Sequence, residues 1–161
     1  MSETEIRAAT PIDLAYIDNL QRIEANGPDS VGFIPWSRYE KEVMNGGIHL
    51  AFDNDEPTGF VYATHNRHGV TRIQQIVVQE DARHAERATA LIEVAIREND
   101  WLVSLRCAED LGAVEFWPAI GFELVDVDDR PNKRKRKVLK FQKIVGGIWM
   151  AEGNGDQNKD C

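Results

Sequence analysis

The chain has 161 residues, of which 42% are hydrophobic and 29% charged, and its formal net charge at pH 7 is −8. This length and composition predict one soluble globular domain with a buried core, and no apolar run is long enough to suggest a membrane-spanning helix. The two cysteines, Cys107 and Cys161, exclude a disulfide framework and a cysteine-rich metal site.

The ends of the chain differ from its middle. The acidic N-terminus lacks the basic start of a secretory signal peptide, so we expect a cytoplasmic protein. Residues 1–145 are predicted to form the single domain. Residues 146–161 are rich in Gly, Asn and Asp, and we expect them to form a flexible tail. A monomer and a dimer are both compatible with the sequence.

The first half of the chain begins with a strand and two helices. Residues 5–9 form a short predicted strand, and Thr10 with Pro11 then has the pattern of a helix start. The buried stripe predicted for this helix comprises Leu14, Ile17, Leu20 and Ile23. A loop follows up to Pro35, and a second helix is predicted over 36–44, ending at Gly46-Gly47. Strands over 48–53 and 58–65 are predicted to pair across a hairpin turn at 54–57.

The hydrophobic period changes between residues 72 and 96. The β-branched residues Ile73, Ile76, Val77 and Val78 predict a buried strand, which follows a turn at 67–69. A helical spacing then joins Ala88, Leu91, Ile92, Ala95 and Ile96, so strand gives way to helix near residues 80–84.

A short strand-to-helix turn directs the free N–H groups of the helix at one point, where an anion can bind. Arg83, His84 and Arg87 would add positive charge around that point. The alternative is an ordinary crossover whose basic first turn is simply solvated.

The remaining elements complete the pattern. Residues 101–106 are predicted as a strand and 110–119 as a helix. Two further strands, at 122–127 and 137–144, are expected to pair across a basic turn. The full predicted order is β-α-α-β-β-β-α-β-α-β-β.

This order resembles the GCN5-related N-acetyltransferase (GNAT) superfamily over residues 5–144. Arg83-His84-Ala85-Glu86-Arg87-Ala88 is similar to the Arg/Gln-x-x-Gly-x-Gly/Ala turn of that family, although Glu86 stands at the middle glycine. The stretch from Asp110 through Ala113, Phe116 and Trp117 to Gly121-Phe122 resembles a second family motif, Asn-x-x-Ala-x-x-Phe-Tyr…Gly-Phe. The resemblance implies an α/β (α+β) GNAT fold: a mixed, mostly antiparallel twisted sheet of six to seven strands flanked by about four helices.

The resemblance also implies the cofactor and the residues that would hold it. Acetyl-CoA or another acyl-CoA would lie at the strand-to-helix turn, with backbone groups of Val77 and Val78 facing the acyl group. The implied contacts are Ile76, Val77, Val78, Arg83, His84, Ala85, Glu86, Arg87, Ala88 and Thr89. A carboxylate at Glu86 departs from the family pattern, because a glycine there lets the backbone approach a phosphate closely.

The predicted catalytic residues are Arg106, Asp110 and Trp117. Arg106 ends a strand and Asp110 starts the next helix, so both are expected at the carboxyl edge of the sheet, where open α/β sheets bind ligands. The alternative is an Arg106–Asp110 ion pair that only braces the turn. Trp117 occupies the position of the family's proton-donating Tyr, and its indole N–H is too weak an acid for that role. The candidate bases are Glu80, Asp81 and His65.

The acceptor side is predicted from aromatic residues. Trp36 and Tyr39 lie in the segment that covers the acceptor in GNAT folds, and Phe116 and Trp117 lie in the helix after Asp110. Packing of the core is the alternative role for Trp36, Tyr39 and Trp117. No spacing of histidines matches a metal-ligand motif, so no metal is predicted.

The positive charge is concentrated near the C-terminus. Residues 130–143 hold eight Lys/Arg and no Asp/Glu, which leaves 11 basic and 27 acidic residues elsewhere. The set Lys133, Arg134, Lys135, Arg136 and Lys137 could bind nucleic acid or the phosphates of coenzyme A, or could be a solvated turn that protects an edge strand.

Three functions are compatible with these features. The first is a GNAT enzyme that moves an acyl group from acyl-CoA to a small-molecule amine. The second follows from a similarity of Arg106, Asp110, Phe116 and Trp117 to the Mom DNA-modification proteins of bacteriophages, which modify adenine. The third is a GNAT-shaped binding protein without catalysis.

Overall fold

In the computed structural model, residues 4–24, 33–79, 85–108, 116–128 and 137–146 are described. They follow the predicted order of elements, with a one-turn 3-10 helix at Pro11–Asp13 before the first α-helix. The elements are β1 (Thr4–Ala8), α1 (Leu14–Glu24), α2 (Trp36–Met44), β2 (Ile48–Asp53), β3 (Glu56–His65), β4 (Val70–Val78), α3 (Ala85–Ala95), β5 (Leu102–Ala108), α4 (Phe116–Ala119), β6 (Glu123–Asp128) and β7 (Val138–Ile144).

The seven strands form one sheet in the order β1-β2-β3-β4-β5-β7-β6. β2 is antiparallel to both β1 and β3, and β7 is antiparallel to both β5 and β6. The last strand of the chain is therefore inserted between β5 and β6. None of the described helices combines the length and the hydropathy that a membrane crossing requires.

The described residues cluster into two compact units. The first contains those within 1–64 and 73–95, and the second contains those within 65–72 and 96–161. The core of the first unit lies between α1, α2 and the strands β2 to β4. It comprises Ala9, Leu14, Ile17, Leu20, Tyr39, Val43, Ile48, Leu50, Phe60, Tyr62 and Val77.

The predicted first helix begins with a 3-10 turn, which is tighter than an α-helical turn, and Asp13 forms a hydrogen bond with the backbone that precedes it. Its carboxylate accepts a hydrogen bond from the Thr10 N–H at 2.8 Å. Leu14, Ile17 and Leu20 are buried as predicted, whereas Ile23 is 64% exposed. At about 100° per residue, Ile23 lies roughly 120° around the helix from Ile17, so it points away from the core.

The β2–β3 hairpin turn is shorter than the predicted four residues. Asn54 and Asp55 have φ angles of 51° and 72°, and β3 already begins at Glu56. Two consecutive left-handed residues are the requirement of the two-residue hairpin turn whose twist matches the strands, and Asn and Asp tolerate that conformation best after glycine.

The second unit has its own buried face, formed by alternate residues of β5 and β7. The register pairs Leu105 with Phe141 and Cys107 with Leu139, and all four side chains are buried. Trp101, predicted to begin β5, instead lies just before it, and its indole N–H donates to the His68 carbonyl oxygen at 2.9 Å. Gly69, at φ +83°, lies against the Trp101 ring, where an added Cβ would be 2.8 Å from a ring carbon.

Candidate active site

The strand-to-helix junction of β4 and α3 is the predicted cofactor site. β4 ends at Val78 and α3 begins at Ala85. The first turn of an α-helix carries N–H groups without intrahelical partners, so this junction has the arrangement that binds anions. Of the predicted contacts and bases here, Glu80, Asp81, Arg83 and His84 lie outside the described residues.

The end of β4 is held against β3 at unusually short range. A Cβ added to Gly59 would lie 2.7 Å from the Val77 carbonyl oxygen and 3.1 Å from the Val78 Cα. The Gln79 N–H donates to the Thr58 carbonyl oxygen at 2.8 Å just beyond. Because only glycine allows this approach, β3 fixes the backbone of Val77 and Val78, the stretch predicted to face an acyl group.

The side chains around the junction differ in exposure. Val77 and Ala88 are buried, and Ile76, Val78 and Thr89 are partly buried. Their side chains therefore contribute packing, and the backbone is what the strand can offer a ligand. Glu86 in the first turn of α3 is exposed to solvent.

Arg87 has a partner that the sequence did not indicate. Its side chain is 9% exposed, and its guanidinium forms an ion pair with the Asp53 carboxylate at the end of β2. A carboxylate that contacts a guanidinium cancels most of the electrostatic field that the guanidinium produces at longer distances. Arg87 therefore joins α3 to β2 in the first unit, and its positive charge is already committed to Asp53.

The two aromatic residues predicted on α2 occupy different environments. Tyr39 is fully buried, packs edge-to-face against Phe60 with ring centroids 6.0 Å apart, and donates from its hydroxyl to Gln75 Oε1 at 2.5 Å. Burial raises the pKa of Tyr39 well above its usual value, and the Asp18 carboxylate adds to this. The hydroxyl therefore stays a donor. Trp36 is 42% exposed, so of the two rings it is the one that a substrate can reach.

Two glutamines that were not among the predicted site residues are joined to Tyr39 by hydrogen bonds, Gln75 directly and Gln21 through Gln75. Gln75 on β4 accepts from Tyr39 and donates from Nε2 to Gln21 Oε1 at 2.9 Å. The sequence signal for Gln75 is the pair Gln74-Gln75 between the apolar residues Ile73 and Ile76, because a polar side chain among buried residues needs a partner. Gln21 has no such signal.

Arg106 lies on β5, exposed, on the strand face opposite that of the buried residues Leu105 and Cys107. Its register partner on β7 is Lys140, which in turn pairs with Asp126 on β6. No hydrogen bond or ion pair of Arg106 is formed with another described residue. Asp110 lies outside the described ranges, so both the Arg106–Asp110 ion pair and its catalytic alternative remain predictions.

The aromatic residues of α4 form a cluster in the second unit. Trp117 is 5% exposed and packs edge-to-face against Phe116 and Phe122, with ring centroids 5.0 and 5.5 Å away. Phe116 is partly buried. This is the packing role that was the alternative for Trp117. In the helix predicted over 110–119, the described part is Phe116–Ala119.

The other candidate groups lie apart. His65 is partly buried at the end of β3, where it belongs to the second unit. Of the predicted nucleic-acid contacts, Lys137 is exposed just before β7. Lys133, Arg134, Lys135 and Arg136 lie outside the described residues.

The strand order and the flanking helices define an α/β fold with one mixed sheet. The model of the acetyltransferase (GNAT) family matches residues 16–122, and the chain belongs to that family. This confirms the resemblance inferred from the two motifs. No curated protein sequence matches the chain significantly.

Solved structures agree with the family in fold. Ard1 from Thermoplasma volcanium superposes with a TM-score of 0.74 at 17% identity, covering 88% of this chain and 97% of that one. Ribosomal-protein-alanine N-acetyltransferase from Brucella melitensis gives 0.70 at 16% identity, covering 88% and 99%. Arabidopsis thaliana Naa50, in complex with the bisubstrate analogue CoA-Ac-MVNAL, gives 0.68 at 16% identity, covering 87% and 97%. The predicted GNAT fold with a sheet of six to seven strands is confirmed.

Proposed function

We propose that the protein transfers an acyl group, with acetyl as the simplest case, from acyl-CoA to an amine. The observation that carries this proposal is membership of the acetyltransferase (GNAT) family over residues 16–122. The junction of β4 and α3 supports it, because the helix start offers N–H groups for an anion and Gly59 fixes the strand in front of it.

The residues at the junction fit the pyrophosphate of coenzyme A. In this proposal the N–H groups of the first turn of α3 face the pyrophosphate, and Arg83, which precedes α3 in the sequence, would supply a charge-assisted hydrogen bond. Arg87 contributes little to this site, because Asp53 already neutralises it. The backbone of Ile76, Val77 and Val78 would line the acyl group.

The reaction forms a C–N bond to the amine and breaks the C–S bond of the thioester, which the bound acyl-CoA supplies as an activated acyl group. The amine must lose a proton, and the leaving sulfur must gain one. We assign the backbone of the Val77–Val78 stretch to stabilise the developing negative charge on the carbonyl oxygen. Backbone donors held by a rigid strand need no reorganisation during the reaction, and the contact at Gly59 provides that rigidity.

Proton transfer requires groups other than Trp117. Its indole is buried and does not ionise in the relevant range, so the proton that reaches the sulfur comes from water or from the amine itself. Glu80, Asp81 and His65 are the proposed acceptors of the amine proton. Asp110 would accept a hydrogen bond from the amine and Arg106 would pair with an anionic group of the acceptor.

The proposed acceptor is a small-molecule amine or the amino end of a peptide. Structural neighbours include the NatC complex bound to a Gag peptide and CoA, 18% identical with a TM-score of 0.70 and covering 89% of this chain and 99% of that one. In this chain the half-exposed Trp36 is the proposed contact for the apolar part of the amine.

The test is acetyl-CoA binding measured by calorimetry, followed by turnover with a panel of primary amines and short peptides. Arg83→Ala should weaken binding about tenfold or more, the loss of one hydrogen bond to a charged group. Glu86→Gly should strengthen it, because a carboxylate near the pyrophosphate is removed. Arg97 is exposed and lies two residues after the end of α3, so Arg97→Ala is the charge-matched control and should change nothing. Absence of acetyl-CoA binding by the folded wild-type protein at millimolar ligand would overturn the proposal.

A further inference from the structure

Three side chains from three elements of the first unit form a continuous chain of hydrogen bonds. Tyr39 on α2 donates to Gln75 Oε1 at 2.5 Å, and Gln75 Nε2 on β4 donates to Gln21 Oε1 on α1 at 2.9 Å. Gln21 is 54 residues from Gln75 in the chain, so this contact joins distant parts of the sequence. We refer to Tyr39, Gln75 and Gln21 as the amide relay.

The relay ends on the backbone of the segment that leads into α2. Gln21 Nε2 donates to the Ile34 carbonyl oxygen at 2.7 Å, and the Ile34 N–H donates to Gln21 Oε1 at 3.0 Å. This two-point pairing copies the way one strand holds another, so residue 34 is fixed in both position and direction. Asp18 Oδ1 also accepts from Gln21 Nε2 at 3.1 Å, which fixes the orientation of the amide.

Burial makes this arrangement costly to change. Gln21 and Tyr39 are both 0% exposed, and a buried amide or hydroxyl without a partner is strongly unfavourable. The hydrogen bonds run in one donor-to-acceptor direction: Tyr39 donates to Gln75, Gln75 donates to Gln21, and Gln21 donates to the Ile34 carbonyl oxygen. An apolar contact of similar size would fill the space but would not define one register.

We propose that Gln75 is a positioning residue that sets residues 33–36 in register with β4. This rests on the proposed acyl transfer to an amine, in which Ile76–Val78 face the acyl group and Trp36 contacts the acceptor. Gln75 directly precedes the first stretch, and Ile34 lies two residues before Trp36. The relay thereby couples the strand on the acyl side to the segment on the acceptor side.

The neighbouring Gln74 provides a matched control within the same strand. It donates from Nε2 to Thr64 Oγ1 at 2.9 Å. Gln74 is the same residue type as Gln75 and lies on the same strand. Because consecutive strand residues point to opposite faces of a sheet, Gln74 is not linked to α1 or α2. Replacing either glutamine by Leu removes one side-chain amide from β4, and only Gln75→Leu interrupts the relay.

The experiment measures steady-state kinetics for an amine that wild type acetylates, together with acetyl-CoA affinity by calorimetry. Gln75→Leu should lower kcat/KM for the amine about tenfold, mainly through KM, while the Kd for acetyl-CoA changes less than about twofold. Gln21→Leu should have the same effect, and the double variant should be no worse than either single variant, because all three break one relay. Gln74→Leu should leave the amine KM within about twofold of wild type.

Gln75→Glu is the second variant, and it keeps the test decisive if Gln75→Leu folds poorly. A carboxylate still accepts from Tyr39 but has no proton to donate to Gln21, whereas the protonated carboxyl restores both bonds. The ratio of its kcat/KM to that of wild type should therefore rise as the pH is lowered towards the pKa of the new carboxyl. A simple packing defect would not give this pH-dependent recovery.

The possible outcomes separate the two proposals. If wild type binds no acetyl-CoA and acetylates no amine, the proposed function fails and the positioning role fails with it. If wild type is active but Gln75→Leu matches Gln74→Leu in amine KM, only the positioning role is overturned. Equal losses of amine and acetyl-CoA binding in Gln75→Leu would also overturn it, since they indicate general distortion of β4.

Discussion

Asp13 shows how one carboxylate fixes the beginning of the first helical segment. It receives two hydrogen bonds from the Arg7 guanidinium, at 2.9 and 3.1 Å, and one from the Thr10 N–H at 2.8 Å. Burial alone would raise the pKa of Asp13. The hydrogen bonds from Arg7 and Thr10 together outweigh burial and hold the pKa below its usual value.

The lowered pKa predicts how stability depends on pH. Because the folded state binds the proton less tightly than the unfolded state, the contribution of Asp13 is complete at neutral pH and is lost as pH falls through its folded pKa. Asp13→Asn should lower the free energy of unfolding at pH 7 by about 1–2 kcal/mol. The difference from wild type should shrink below about pH 4. Urea unfolding curves recorded at several pH values between about 2.5 and 7 would measure this difference in the free energy of unfolding.

Asp55→Asn is the control for this prediction. Asp55 is exposed in the β2–β3 turn at φ 72°, a conformation that Asn accepts equally well. Its effect on unfolding should be small at every pH. A constant difference between Asp13→Asn and wild type across the whole range would contradict the ion-pair explanation.

The sequence does not determine whether a particular side chain is buried or exposed. Trp36 and Tyr39 stand three residues apart on α2, and both were predicted as acceptor contacts with core packing as the alternative. The helix turns about 100° per residue, so a small rotation decides which ring faces the sheet. The structure buries Tyr39 against Phe60 and Gln75 and leaves Trp36 partly exposed.

At the scale of elements, the ion pair of Arg87 and Asp53 connects α3 to β2. Both partners are largely buried, with side-chain exposures of 9% and 21%. Removing one partner of such a pair leaves the other charge without compensation, which costs more than the intact pair contributes. Arg87 is therefore expected to act on the stability of the first unit and not on the affinity for a cofactor.

Arg87→Met should lower the free energy of unfolding by about 2–3 kcal/mol, a value reduced for the partial exposure of Asp53. Its acetyl-CoA affinity, measured by calorimetry on the folded protein, should fall less than that of Arg83→Ala. Adding Asp53→Asn to Arg87→Met should recover part of the lost stability, because the unpaired charge is removed. A stable Arg87→Met variant with a large loss of acetyl-CoA affinity would instead place Arg87 at the phosphates.

The order of elements was predictable because each one carries a local periodic pattern. A change of hydrophobic period between residues 72 and 96 predicts β4 and α3. The second predicted helix, α2, ends at the pair Gly46-Gly47, which marks a helix C-terminus. The amide relay has no such local signal. Gln21 and Gln75 become neighbours only when α1 packs on the sheet, and nothing in either local sequence states the distance between them.

Over the whole molecule, charge is distributed unevenly along the chain. The net charge is −8, yet residues 130–143 hold eight Lys/Arg and no Asp/Glu. Two of these lysines lie on β7 in the second unit. Lys143 Nζ donates to the Ile120 carbonyl oxygen at 3.0 Å, and Lys140 lies opposite Asp126 in the register of β7 and β6. The other six basic residues lie in 130–137, of which Lys137 is described and exposed.

If this run binds nucleic acid, affinity must depend steeply on salt. Each phosphate contact contributes about 0.9 to the slope of log affinity against log salt concentration for duplex DNA. The variant Lys133→Glu/Lys135→Glu should lower DNA affinity at about 50 mM salt by more than tenfold and reduce that slope by roughly 2. Fluorescence anisotropy with a labelled duplex across a salt series measures both quantities.

Lys41→Glu, in the exposed face of α2, tests whether net charge alone explains such a loss. It changes the total charge by the same amount per site but lies outside the basic run, so the slope should stay close to that of wild type. The same Lys133→Glu/Lys135→Glu variant separates the two candidate ligands. Weaker acetyl-CoA binding by a protein that binds no duplex even at low salt would assign the run to the phosphates of coenzyme A. Loss of duplex binding with unchanged acetyl-CoA affinity would assign it to a nucleic acid, and the acceptor amine would then be sought on a polyanion.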